Sequence, residues 1–262
     1  MNDLKGKWAL VLGASSGFGE ACSLELARRG MNICGVHLDR KATQPNADRI
    51  VEEIHKTGSE AFFINGNAAD EGVRKEVLDG LVPKMGGKPL RTVLHSLAFG
   101  TLKPFVAEKP EDQITKAQIE MTLDVMAHSL VYWVQDLCAR QLLGKGSRIF
   151  AMTSAGSARN WASYGAVSAA KAALEAHCRQ LSVELTPQGI SANAIRAGVT
   201  DTPSFRKIPG HEEMAKLVLE RNPGRRLTTT QDVAACVAAL STEGLSWMTG
   251  NVINVDGGEF IV

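Results

Sequence analysis

The segment WASYGAVSAAKAALEAH, residues 161–177, carries one phenol and one ammonium, Tyr164 and Lys171, seven positions apart. The small residues between them read as helix. Seven residues are close to two helical turns, so both groups can lie on one face, a hydroxyl donor beside a cation. A second chemical stretch is GASSGFG, Gly13 to Gly19, with glycines at 13, 17 and 19. It follows an apolar run and opens a helical one. Glycine lets the backbone turn sharply and approach a pyrophosphate, and a helix amino end offers free N–H groups and a positive dipole end.

These groups need a frame. Seven short apolar runs, at 7–13, 31–38, 60–66, 90–96, 147–154, 190–196 and 251–255, read as buried strands. Helical patterns lie between them, at 19–30, 47–58, roughly 112–143 and 164–186. Strand then helix, repeated, predicts a parallel sheet covered on both faces: a Rossmann-type, doubly wound α/β fold in a single domain over 1–262. The least regular region, about 197–230, holds Pro203, Pro209, Gly210, Pro223 and Gly224. It is expected to cover the substrate near the carboxyl ends of the strands, where such sheets bind ligands.

Composition narrows the class. The 262 residues carry a net charge of +1 and 44% hydrophobic residues, which allows a sizeable core and gives no global basic excess for nucleic acid. The five cysteines, at 22, 34, 138, 178 and 236, form no Cys-x-x-Cys pair and sit beside no histidine cluster. They read as reduced, mostly buried thiols, and no metal site is expected. No run is long enough for a membrane span and no signal-peptide pattern is present, so the expected compartment is the cytoplasm.

The glycine loop, AGVTDT after the sixth strand and TGNVINVDGG at the last strand resemble the short-chain dehydrogenase/reductase family, over nearly the whole chain. The resemblance implies NAD(H) or NADP(H) at Gly13, Ser15, Ser16, Gly17, Phe18 and Gly19. It places adenine at Asn67 and Ala68, with Asn67 where the family usually has Asp. At the end of the second strand the chain reads His37, Leu38, Asp39, Arg40, Lys41. A carboxylate there suits the ribose 2′-hydroxyl of NAD and a cation suits the 2′-phosphate of NADP. His37 takes the place of the NAD-type Asp, and Arg40 and Lys41 follow, so NADP(H) is favoured; Arg40 and Lys41 also read as a solvated helix entry.

In that family Tyr and Lys usually stand four apart, the Lys holding the nicotinamide ribose and lowering the Tyr pKa. Here the position four before Lys171 is Val167. The loop after the fourth strand is His95-Ser96-Leu97-Ala98, where most members carry Asn-Asn-Ala-Gly. Both departures resemble the enoyl-acyl-carrier-protein reductases. Reducing an α,β-unsaturated thioester puts hydride on Cβ and charge on the thioester oxygen, three bonds away. A three-residue shift moves the donor roughly 4.5 Å along a helix axis. Ser154, seventeen residues before Lys171, marks a minority type with Ser where the better-known enoyl reductases have a second Tyr. Its hydroxyl could bond the substrate oxygen or only cap the strand end. Met126 stands where many ketoreductases have a water-holding Asn.

By the same resemblance Ser96, Leu97 and Ala98 meet the nicotinamide side, and Ala197 and Gly198 form the loop after the sixth strand. Thr200 would lie by the carboxamide and Thr202 would bond the pyrophosphate. His95, His128 and His177 read as structural. Phe99, Phe105 and Phe205 could line an acyl pocket or simply pack. Arg206, Lys207, Arg221, Arg225 and Arg226 could steer acidic acyl carrier protein. The long apolar helix at 121–143 fits the family's homotetramer. The expected activity is NAD(P)H-dependent reduction of the trans-2 double bond of enoyl-acyl-carrier protein in fatty-acid elongation. The alternatives are a carbonyl or hydroxysteroid-type dehydrogenase and a non-catalytic NADP-sensing regulator.

Overall fold

All seven apolar runs become strands in the computed structural model, which describes residues 3–262. They are β1 (Trp8–Leu12), β2 (Asn32–His37), β3 (Ala61–Asn65), β4 (Thr92–His95), β5 (Arg148–Ser154), β6 (Ser191–Ala197) and β7 (Val252–Val255). Every pairing is parallel, in the order β3-β2-β1-β4-β5-β6-β7. A parallel strand is covered on both faces, so it reads as an unbroken apolar run. β1 shows this: Trp8, Leu10 and Leu12 enter one core, Ala9 and Val11 the other, and all five are buried.

One face is covered by α3 (Glu71–Leu81), α5 (Ser129–Ala139) and α6 (Gly165–Leu185). The other is covered by α1 (Gly17–Arg28), α2 (Gln44–Lys56) and α8 (Thr230–Leu240). The long pattern at 112–143 is not one regular helix. It runs as α4 (Lys116–Leu123), a π turn at Asp124–His128, then α5. The π turn places Val125, Met126 and Ala127 together in the interior. α7 (His211–Arg221) lies in the irregular region and buries none of its residues. Among the described residues no helix is long and apolar enough to cross a membrane, and all five cysteines are free.

Trp133 ties a helix layer to a loop the cofactor is expected to use. It is fully buried, and its indole donates to the Ala68 carbonyl at 2.7 Å. Replacing it with Phe leaves that carbonyl unpaired and opens a void. Trp133→Phe is therefore expected to lower unfolding stability by about 2–4 kcal/mol, measured by urea denaturation.

Candidate active site

The order of strands reverses between β1 and β4, which opens a crevice at their carboxyl ends. The glycine loop sits there. A Cβ on Gly13 would lie 2.5 Å from the Ser96 carbonyl oxygen, and one on Gly19 would overlap the Gly13 carbonyl. Side chains are thus excluded where backbone must come close. Ser16 precedes α1 without capping it through its side chain, so first-turn N–H groups are left for an anion. Ser15, Gly17 and Phe18 complete the turn, and Ser96 and Leu97 lie beside Gly13 with Ala98 exposed after them. This cradle fits a dinucleotide pyrophosphate.

At the adenosine end His37 is buried, and its Nδ1 meets Asp39 at 2.8 Å. Burial pushes the Asp39 carboxyl up, but hydrogen bonds from Ser15, Thr43 and His37 outweigh it and hold the group below the usual carboxylate range. Asn65 clamps the Asp39 backbone, accepting from its N–H at 3.0 Å and donating to its carbonyl at 2.9 Å. Arg40 and Lys41 are exposed. Asn67 is exposed and its amide oxygen accepts from the Ala69 N–H at 3.1 Å, while Ala68 is buried.

Tyr164 immediately precedes α6, so the Tyr–Lys pair straddles a helix start rather than lying on a continuous helix. Burial raises the Tyr164 phenol, and the nearby Ser154 hydroxyl offsets part of that. Ser154 Oγ is itself buried and completes no well-aligned hydrogen bond among the described residues. Gly156 separates the two: a Cβ there would stand 2.6 Å from the Tyr164 ring and 3.2 Å from Ser154 Oγ. Lys171 is 6% exposed and donates to the Met152 carbonyl at 2.6 Å. Burial lowers its pKa to about 8, with Glu175 one turn on opposing the fall. Glu175 is held in turn by Thr153 Oγ1 at 2.8 Å and Arg196 at 3.1 Å.

Val167 packs with Met126 and Thr122 around Gly100, where a Cβ would meet all three within 3.1 Å. The positions that carry Tyr and Asn elsewhere are here one apolar contact. His95 is fully buried. Ser129 donates to the Val125 carbonyl at 2.8 Å, so His95 Nε2 is the donor to Ser129 Oγ at 2.8 Å. Burial, then the Lys171 charge, pushes His95 down to about 3, which keeps it neutral.

Ala197, expected in the loop, is instead the last residue of β6 and pairs with Ser154 of β5, so the loop begins at Gly198. Thr200 is buried and donates to the Gly198 carbonyl at 3.0 Å, and Thr202 packs against Gly17. Ser154, the glycine loop, Ser96 and Thr202 thus lie at the carboxyl side of neighbouring strands, with Tyr164 beside Ser154 and Lys171 bonded to β5, while Lys41 and Ala98 are exposed. Glu259 was not foreseen. Its buried carboxylate accepts from the Val199 N–H at 2.8 Å, locking the loop that bears Thr200. Asn65 was also missed. Both act over long sequence separations, which local periodicity does not record.

Holding a charge at Lys171 costs on the order of 3 kcal/mol at neutral pH. The folded pKa lies below the unfolded one, so the cost is complete below about pH 8 and fades as pH rises from there toward 10.5. Lys171→Met is expected to be more stable than wild type at pH 7, the gap closing between pH 8 and 10.5, by thermal melts across pH.

Residues 13–259 match the family described as Enoyl-(Acyl carrier protein) reductase. The chain is 30% identical over 257 residues to 1-cyclohexenylcarbonyl-CoA reductase of Streptomyces collinus, covering 97% of this chain and 87% of that one. It is 28% identical over 260 residues to a 3-oxoacyl-[acyl-carrier-protein] reductase of Pseudomonas aeruginosa, covering 98% and 99%. A short-chain dehydrogenase from Burkholderia cenocepacia, solved in complex with NADP, superposes with a TM-score of 0.83 at 27% identity, covering 98% and 99%. A seven-stranded parallel sheet, a glycine cradle at its switch point and a match along nearly the whole chain together make this protein a member of the short-chain dehydrogenase/reductase family, an NAD(P)-dependent oxidoreductase.

Proposed function

We propose that this chain reduces the trans-2 double bond of an enoyl thioester carried on acyl carrier protein, as in fatty-acid elongation. The observation that carries the reading is the apolar contact of Val167 and Met126 around Gly100, with the phenol displaced to Tyr164. That contact leaves no polar group at either position to serve a ketone carbon's own oxygen. The S. collinus relative, named for a ring alkene joined to a thioester carbonyl, supports it.

A nicotinamide held at this site would supply the hydride for Cβ. Charge then gathers on the thioester oxygen, and Tyr164 donates a hydrogen bond or proton to it. Ser154, whose buried Oγ sits by the phenol, adds a second donor, as expected of the minority Ser type. Lys171 binds the ribose hydroxyls and lends positive charge. Phe105, half-exposed and packed against Gly165, lies next to Tyr164 on the side expected to receive the acyl chain.

The same reading extends to partner and assembly. Arg206 is bidentate to Asp201 at 2.7 and 2.8 Å, and Arg226 is paired with Asp232. Lys207, Arg221 and Arg225 form no ion pair among the described residues, and they are the charges we assign to acyl carrier protein. The segment at 197–230 covers the substrate, and a cytoplasmic homotetramer joined through the long helices is the assembly we expect.

For the cofactor we propose NADP(H), on Arg40 and Lys41, which are exposed and form no ion pair among the described residues. Asp39 works against a 2′-phosphate. Asp39→Asn should therefore raise the ratio of kcat/KM for NADPH over NADH about tenfold. An equal or lower KM for NADH in the wild type would overturn the preference.

A second reading, a carbonyl reductase, is favoured by Ser154 standing beside Tyr164, and by the P. aeruginosa relative. NADPH oxidation with crotonyl thioester against 3-ketoacyl thioester, together with NADP+ reduction by steroid and sugar alcohols, separates the two. We expect turnover of the enoyl thioester, reduced at least about a hundredfold in Tyr164→Phe. Activity on the carbonyl and alcohol substrates alone would sink the enoyl reading.

A further inference from the structure

Residues 203–221 form the 3₁₀ turn Phe205–Lys207 and α7, with no buried residue in the helix. The segment is pinned at both ends. Thr202 Oγ1 accepts from the Phe205 N–H at 3.2 Å, and buried Asn222 donates to the Asp256 carbonyl at 2.8 Å. Between those pins, among the described residues, one hydrogen bond joins it to the protein outside 200–226. The Trp161 indole donates to the Pro209 carbonyl at 2.9 Å. The same ring lies over Gly210, with Cζ2 3.4 Å from where a side chain would begin. Gly210 has φ +74 and opens α7.

The other end of this contact is the catalytic turn. The Trp161 carbonyl accepts from the Tyr164 N–H at 3.2 Å. Ser163, between them, has φ +59, a conformation a serine holds only at a cost. A turn held in a costly conformation is sensitive to what its first residue touches.

We propose that Trp161 is a positioning residue: its bond to Pro209 couples the seating of the 203–221 cover to the placement of the Tyr164 hydroxyl. The kinetic part rests on the reductase reading above. The structural part does not.

The test is Trp161→Phe, which keeps a ring and loses the donor, in the full-length protein. Two measurements need no activity. Limited trypsinolysis at Lys207, Lys216 and Arg221 should speed up about fivefold, with the melting temperature little changed. The chain has two tyrosines, Tyr132 and Tyr164, so ¹³C-tyrosine NMR gives two signals, assigned with Tyr164→Phe. The Tyr164 signal should move and the Tyr132 signal should not. The third measurement is a kinetic cycle with crotonyl thioester. Trp161→Phe should cost about tenfold in kcat, and close to nothing once Tyr164 is Phe, with NADPH binding unchanged. Unchanged cleavage, or a static Tyr164 signal, overturns the proposal. Equal kinetic losses in both backgrounds would also overturn it, because they mark a purely structural role. Failure of the wild type to turn over crotonyl thioester removes the enoyl reading and leaves the first two measurements to decide this one.

Discussion

The Lys171 ammonium is buried beneath the carboxyl edge of the sheet, and much of the site is arranged around keeping it there. Its direct bond is to one backbone carbonyl, that of Met152. The carboxylate one turn along, Glu175, is shared with Thr153 and Arg196, and Arg196 stacks at 3.9 Å on Phe260. A buried cation is expensive, and Glu175, itself held by Thr153 and Arg196, offsets only part of that cost. The helix that carries it must run close to β5, which accounts for the row of alanines in α6 between the lysine and the tyrosine.

Around that charge the chain has exchanged polar for apolar groups. Val167, Met126 and Thr122 close on Gly100. Met126 comes from the π turn, where it is buried with Val125 and Ala127. Beside that apolar contact stand the phenol, the Ser154 hydroxyl, which has no hydrogen-bond partner among the described residues, and the ammonium.

The strands were legible because a strand covered on both faces reads as a largely apolar run, as β1 does with all five residues buried. Tyr164, Lys171 and the glycine loop were legible because their roles depend on local spacing. Other features depend on residues far apart in the chain and leave no local trace. Asn65 clamping Asp39, Trp133 reaching Ala68 and Glu259 reaching Val199 are of this kind. The same limit explains the basic cluster at 206–226, where charge is visible in sequence but the Asp201 and Asp232 partners become partners only once the loop is folded. The π turn escaped for a different reason, as one extra residue in a helical turn scarcely alters an apolar pattern.

The Glu259 clamp bears on the order in which the protein can become competent. The phosphate cradle lies directly after β1, yet the loop expected to face the nicotinamide is fixed by a carboxylate 60 residues beyond that loop, behind β7. β7 pairs only with β6, at the sheet edge. A chain emerging from the ribosome would thus assemble the adenosine half of its pocket early and carry it half-made until the last strand docks. Saturation with nucleotide would then report the arrival of the C-terminal segment, making ligand affinity a clock for the final step of folding.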